Sequence, residues 1–94
     1  MIPERTKTQR GFTLIKFKDK YGASCSIQKS SLATEDAIWF GIDDPDPKIC
    51  EQNVGWKPYD IPKEVLLTTH MHLTQDQVRN ILPTLQKFAE TGEL

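Results

Sequence analysis

Several kinds of catalytic and targeting motif are missing from this chain of 94 residues. It has no glycine-rich phosphate loop, no nucleophile elbow, no Cys-x-x-Cys pair and no His-Glu-x-x-His metal motif. No apolar run approaches the ~18 residues of a membrane span, and no apolar signal segment opens the chain. The sequence therefore predicts no catalytic residue and no cofactor. We expect a non-enzymatic, cytoplasmic protein that does not contact a membrane.

The chain also lacks an excess of charge of either sign. It has 12 lysine and arginine residues and 13 aspartate and glutamate residues, which gives a net charge of −1. A general nucleic-acid binder needs surplus basic residues to neutralise phosphates, so this class is disfavoured. A chain of this length fits one domain with a small core, which self-association would enlarge. We therefore expect a homo-oligomer, with a dimer favoured.

Potential metal ligands are few, and none of them forms a recognised motif. Asp43, Asp44 and Asp46 cluster in sequence, but their spacing does not match a calcium-binding loop. His70 and His72 lie on the same side of a predicted strand, which supplies only half of a zinc site. The sequence leaves open whether a third ligand lies near these histidines, and we predict no metal site.

Cysteine is scarce as well, because Cys25 and Cys50 are the two present. In a reducing compartment both are expected as free thiols, and Cys25 suits a small core position in a strand. The interpretation of these two residues as a disulfide is the less favoured one.

One stretch near the C-terminus carries a full set of helix signals. Thr74 and Gln77 form a Thr-x-x-Gln capping box, and Gly92 suits a left-handed C-cap. Between them, apolar residues recur at helical spacing and form one stripe, which we call the helix stripe: Val78, Ile81, Leu82, Leu85, Phe88 and Ala89. Because the stripe continues in phase across Pro83, we predict a kinked helix rather than two helices.

The chain before this helix is predicted to be sheet and loop. We expect a flexible N-terminal arm at residues 1–10 and a single α+β domain at residues 11–94. Strands are predicted at residues 11–18, 23–30, 37–42 and 63–73, with a long irregular stretch at 43–62. The first strand has an apolar pair on each side, which is typical of an inner strand or of a strand beneath an oligomer contact. The predicted fold is a small antiparallel β-sheet of about four strands with the C-terminal helix packed across it.

Sequence motifs in most of the chain resemble those of a group of small proteins encoded by tailed bacteriophages and prophages. The shared pattern comprises Arg-Gly-Phe at 10–12, Tyr-Gly at 21–22, Cys-Ser at 25–26, Gln28, Ser-Ser-Leu-Ala at 30–33, Glu-Asp-Ala-Ile-Trp at 35–39, Met-His-Leu-Thr at 71–74, Leu-Pro at 82–83, Phe88 and Thr-Gly-Glu-Leu at 91–94. The pattern weakens between residues 43 and 62. This resemblance implies a genomic setting and no mechanism, since the group has no established activity.

The phage setting favours one hypothesis, since small accessory phage proteins often neutralise host defence. We expect a binding protein in the host bacterial cytoplasm that sequesters a small anionic, nucleotide-like host signal. An indole ring would stack on the base. Hydroxyls, an imidazole and the N-terminus of the helix would hold phosphates, and an amide or a guanidinium would bind polar edges. The predicted ligand-binding residues are Gln28, Ser30, Ser31, Trp39, Trp56, His72 and Arg79.

Three alternatives remain beside this hypothesis. The first is a protein-interaction inhibitor or regulator of a host defence protein, which would use the acidic and aromatic residues at 43–59 as its contact surface. The second is a small nucleotide hydrolase, whose catalytic groups would come from separate loops without a local signature. The third is a virion or regulatory protein whose helix only completes a core.

Overall fold

Short strands precede a single helix in the computed structural model, which describes residues 2–94. In chain order the elements of this part are β1 (Glu4–Lys7), β2 (Thr13–Lys18), β3 (Ser24–Lys29), β4 (Ala37–Ile42), β5 (Lys48–Glu51), β6 (Gly55–Pro58), β7 (His70–Thr74) and α1 (Gln75–Thr91). The predicted α+β class is confirmed, because an antiparallel sheet is followed by a C-terminal helix that packs on it.

Five of the strands form one antiparallel sheet in the order β1-β2-β3-β4-β7, and β5 and β6 form a separate two-stranded sheet. Strand β2 lies between β1 and β3, so the prediction of an inner strand is confirmed. Strand β4 pairs with β7, and the β5–β6 hairpin belongs to the long excursion between them. We call this excursion, residues 43–69, the arm.

Strand register sorts the side chains of the large sheet onto two faces, because residues directly opposite each other share a face. One row joins Gln28, Trp39 and His72, and the next row joins Ser26, Gly41 and His70. We call this side the Trp39 face. The opposite side, which we call the Phe40 face, carries Ile15, Phe17, Ile27, Ile38, Phe40, Met71 and Leu73. The polar groups thus collect on one face and the apolar groups on the other.

Local hydrogen bonds fix both ends of α1 as the sequence predicts. The Thr74 hydroxyl accepts from the Gln77 N–H at 3.1 Å, and the Gln77 side chain accepts from the Thr74 N–H at 3.0 Å. At the other end Gly92 has a φ of 77° and donates its N–H to the Phe88 carbonyl. The helix is continuous across Pro83. Its bounds therefore follow from caps that the sequence encodes locally.

The helix packs on the Phe40 face near β7. Val78 lines a groove of about 410 Å³ together with Ile38 and Leu73, which both lie on that face. No residue of α1 is buried, and the contact of the helix with the sheet is concentrated at β7. The helix therefore covers one end of the apolar face and leaves most of its own apolar stripe uncovered.

Four strands differ from what the sequence predicts. Residues Glu4–Lys7 form the edge strand β1, whereas the prediction places them in the flexible N-terminal segment at residues 1–10. These four residues are polar and exposed, so they show no alternation of apolar and polar residues that would reveal a strand. The stretch predicted to be irregular contains β5 and β6, joined by a turn with Asn53 at a φ of 67°. The predicted last strand is shorter, because pairing with β4 begins only at His70.

Replacement of Gly41 by alanine is expected to destabilise the fold. A Cβ atom at Gly41 would overlap the Thr69 carbonyl oxygen and lie 2.8 Å from the His70 Cα, both of which are backbone atoms. Such overpacking costs about 1–3 kcal/mol. Urea unfolding should show a loss in this range or above for Gly41→Ala.

The control for this substitution is Gly22→Ala. Nothing lies within 4 Å of a Cβ at Gly22, so only its φ of 85° opposes the change, at a cost of roughly 1–2 kcal/mol. Equal stability of Gly41→Ala and the wild-type protein would contradict the close approach of the arm to β4.

Candidate functional site

Trp39 and His72 form a stacked pair on the Trp39 face, where β4 lies beside the edge strand β7. Their ring centroids are 3.9 Å apart and the rings are within 6° of parallel. The pairing of β4 with β7 causes this contact, because it sets the two residues directly opposite each other. Trp39 remains 38% exposed. One side of the indole is therefore occupied by imidazole, while part of its surface stays open to a further planar group.

A buried hydroxyl orients the imidazole of this pair. His72 Nε2 lies 3.0 Å from the Ser30 Oγ, and Ser30 is buried. The same Oγ accepts the Leu32 N–H at 3.2 Å. The Ser30 hydroxyl can then donate its own proton to His72 Nε2, which leaves the ring proton on Nδ1. Ser30 thus positions His72.

Beside the stacked pair lies an open groove of about 500 Å³. Gln28 and Trp39 form its floor on the sheet, and four consecutive arm residues together with His70 complete its lining: Leu66, Leu67, Thr68 and Thr69. The Gln28 amide offers both a donor and an acceptor, and the leucines offer an apolar wall. The arrangement suits a flat molecule with polar edges, because it combines a ring, an amide and hydroxyls in one groove.

A second polar cluster lies one row further along the Trp39 face. The Ser26 hydroxyl donates to Asp43 Oδ1 at 2.5 Å, and His70 Nε2 lies 3.1 Å from the same oxygen. His70 Nδ1 lies 3.0 Å from the Thr69 Oγ1. Ser26 is buried, whereas His70 and Asp43 are partly exposed. Since Asp43 directly follows β4 and His70 begins β7, the cluster joins the two ends of the arm.

The geometry of this cluster differs from that of a catalytic triad. A triad serine donates to the imidazole, and the carboxylate binds the other ring nitrogen. Here the Ser26 proton goes to Asp43, and because a carboxylate only accepts, His70 Nε2 must itself carry a proton. In that tautomer His70 Nε2, which lies 3.4 Å from the Ser26 Oγ, donates to Asp43 and does not accept the Ser26 proton as a triad histidine would.

The structure brings together Gln28, Ser30, Trp39 and His72 among the residues predicted to bind a ligand. Ser31 follows them as an exposed residue after β3. Trp56 lies on β6 in the separate two-stranded sheet and is 71% exposed. Arg79 lies on α1, where its guanidinium pairs with Asp76. Trp56 and Arg79 thus lie on other elements and do not belong to the Trp39 face.

The N-terminus of α1 is surrounded by acidic residues. Glu35, Asp36 and Asp76 line a small groove of about 220 Å³ at this end. A hydrogen bond from Lys29, 2.7 Å away, and the positive charge of that lysine lower the pKa of Asp36 below its ordinary value of 3.8. Since three acidic side chains line this groove, it does not suit a phosphate, despite the helix dipole.

Metal ligands do not converge within residues 2–94, where no group of three or more histidine, cysteine, aspartate or glutamate side chains is arranged to hold an ion. Both cysteines are free thiols, Cys25 buried and Cys50 exposed. In the same part of the chain, no helix is long and apolar enough to cross a membrane.

Comparisons of the chain with protein-family models, with curated proteins and with solved structures give no significant match.

Sequence reasoning missed the cluster of Ser26, Asp43 and His70. Asp43 stood out only as part of an acidic run, and His70 only as half of a metal site. The pairing of β4 with β7 joins them, because it sets Gly41 opposite His70. Asp43 lies two positions after Gly41, so it comes to the same end of the strand pair as His70. Register between strands this far apart in sequence cannot be inferred from either strand alone.

Removal of the Asp43 carboxylate is expected to destabilise the protein. In Asp43→Ala the buried Ser26 hydroxyl loses its acceptor, which costs about 1–3 kcal/mol. Asp44→Ala is the matched control, because it removes a carboxylate from the exposed neighbouring position and should change the free energy of unfolding by less than about 0.5 kcal/mol. Urea unfolding measures both. Equal effects of the two substitutions would contradict a specific role for the cluster.

Proposed function

We propose that this chain is a phage-encoded, non-enzymatic binding protein that counters host defence by sequestering a small anionic, nucleotide-like signal in the host bacterial cytoplasm. The observation that supports this proposal best is the stacked Trp39–His72 pair next to an open groove that Trp39 and Gln28 line. The resemblance to small phage proteins supplies the biological setting.

Each group of the site has a part in this proposal. The base stacks on the accessible surface of Trp39, and the Gln28 amide binds a polar edge of the base. His72 Nδ1–H and the Ser31 hydroxyl bind phosphate oxygens. Ser30 acts as a positioning residue, since its hydroxyl is buried and bound to the imidazole.

A phosphate also needs positive charge nearby, and the same face carries two lysines, of which Lys18 already binds the Ser24 hydroxyl. Lys16 pairs in register with Ser26, so its side chain starts from the Trp39 face next to the row of Gln28. A flexible ammonium group at this position can approach an anion bound beside the groove. We therefore add Lys16 to the residues proposed to contact the ligand.

Trp56 and Arg79 remain in the proposal with a different role. They belong to the β5–β6 sheet and to α1, so in the proposal Trp56 is the alternative to Trp39 for stacking on the base, and Arg79 is the alternative to Gln28 for binding a polar edge. The proposal takes the active form to be a homo-oligomer, with a dimer favoured. Substitution of either residue tests whether the ligand binds there instead of on the Trp39 face.

Native mass spectrometry tests the proposal directly. The protein is incubated with a lysate of phage-infected bacteria that carry a defence system, and it is then weighed under native and denaturing conditions. We expect a retained small molecule that denaturation releases unchanged. Because one base–aromatic contact is worth ~1–3 kcal/mol, Trp39→Ala should lower its occupancy roughly 10-fold or more. His72→Ala should also lower it. Tyr21→Ala, at an exposed turn, is the control and should retain the molecule.

Tryptophan fluorescence provides a second measurement with defined probes. In a Trp56→Phe variant Trp39 is the remaining tryptophan, so adenosine diphosphate or a cyclic dinucleotide that stacks on it should quench its emission. Inorganic phosphate serves as the control without a base and should not quench. A protein that retains no small molecule from the lysate and responds to none of the nucleotides would contradict the proposal.

A second function is favoured by the exposed aromatic surface of the arm. Ile49, Val54, Trp56 and Tyr59 are all exposed on or next to the β5–β6 hairpin. Acidic residues 43, 44 and 46 precede them, and Lys57 pairs with Glu51 across the hairpin. A surface with exposed aromatics at its centre and charges at its rim is typical of a protein-binding site. The alternative is an inhibitor or regulator of a host defence protein.

Paired substitutions distinguish the two functions. In a pull-down from the same lysate, capture of a defence protein that is lost in Trp56→Ala and kept in Trp39→Ala supports the alternative. We expect the reverse dependence for a retained small molecule if the Trp39 face is the site. Capture that neither substitution reduces would contradict a role for the aromatic surface of the arm.

A further inference from the structure

The chain exposes far more surface than a folded monomer of its mass. Its accessible surface is 8,108 Å². A monomer of 10.8 kDa normally exposes about 5,500 Å². The radius of gyration, 16.5 Å, is likewise larger than the ~12 Å expected for a compact domain of this length. The folded chain therefore carries roughly 2,500 Å² of surface that a self-sufficient domain would bury.

Part of this surplus is apolar surface of α1, and another part belongs to the exposed arm. Leu85 is 50% exposed and Phe88 is 54% exposed, although both belong to the helix stripe, and Ile81 and Leu82 are exposed to a similar degree. Met71, on the adjoining Phe40 face, is also exposed. An amphipathic helix whose apolar side is uncovered gains free energy when that side is buried, at about 25 cal/mol per Å².

We infer that the helix stripe and the adjoining Phe40 face form the interface of a homodimer, with a second copy of this chain as the partner. The surplus area favours this occupant. An interface of standard size covers about 800 Å² of each protein, whereas permanent homodimers bury 2,000–5,000 Å² in total, which is up to about 2,500 Å² per subunit. The roughly 2,500 Å² of surplus surface on each chain includes the exposed arm as well as this patch, and it is large enough to contain an interface of the permanent kind.

Symmetry and charge agree with a second copy. In a two-fold dimer the same patch meets itself, and each copy presents both the helix stripe and an apolar sheet face for the other to cover. The chain has a net charge of −1, so two copies do not repel each other strongly. The inference does not depend on the proposed ligand, since Val78 places the helix on the Phe40 face, opposite the stacked Trp39–His72 pair.

Light scattering with size-exclusion chromatography tests the interface. The wild-type protein should have about twice the mass of the 10.8 kDa chain at micromolar concentration. Leu85→Glu places a charge at the middle of the stripe and should raise the dimer dissociation constant roughly 100-fold or more, because a buried unpaired carboxylate is strongly unfavourable. Asn80→Glu makes the same change in charge on the far side of the helix and should leave the dimer intact.

Two outcomes overturn the inference, and a further measurement on the wild-type protein replaces the Leu85→Glu test if that variant does not fold. A wild-type protein that is monomeric at every concentration, or a Leu85→Glu variant that stays as dimeric as Asn80→Glu, excludes this interface. If circular dichroism shows that Leu85→Glu does not fold, a soluble paramagnetic probe is applied to the wild-type protein. The methyl groups of Leu82 and Leu85 should then be shielded, and broadening equal to that of the exposed Leu66 overturns the inference. Ligand retention is scored separately, so either proposal can fail alone.

Discussion

Strand β7 pairs with β4 although the whole arm, residues 43–69, lies between them. Closing so long a loop costs conformational entropy, which grows slowly with loop length. The ladder of hydrogen bonds and the cluster of Ser26, Asp43 and His70 at its end offset this cost. Because of this pairing, Trp39 meets His72, Gly41 meets the backbone at His70, and α1 begins at a fixed edge of the sheet.

The parts of the fold that were predicted correctly depend on local signals. Local hydrogen bonds define both ends of α1, through Thr74 and Gln77 at its start and the C-cap residue Gly92 at its end. These bonds need no contact with the rest of the chain. The apolar pairs of β2 mark it as an inner strand. Strand β1 carries no such mark, because an exposed edge strand needs only backbone pairing and tolerates polar residues on both sides. Strands β5 and β6 are equally short and exposed, so alternation does not reveal them.

The candidate site was predictable in its residue types and not in its geometry. Trp39 and His72 stood out as an indole and an imidazole, but their stacking depends on long-range register. Ser30 was expected to hold phosphate, whereas burial commits its hydroxyl to His72. Asp43 was considered as a cation ligand, yet one of its oxygens already binds Ser26 and His70. Sequence shows which groups are present, and burial decides which of them stay free to bind a ligand.

The two faces of the sheet impose different requirements on so small a chain. The Trp39 face carries hydroxyls, an amide and imidazoles, which water or a polar ligand can satisfy without further protein. The Phe40 face carries aliphatic and aromatic groups, and the one available helix covers only the end near β7. Burial of the remaining apolar surface therefore requires a second layer from outside the chain. If that layer is another copy, it covers the apolar side and leaves the groove beside Trp39 open, so self-association and ligand binding can proceed on opposite sides of the same sheet.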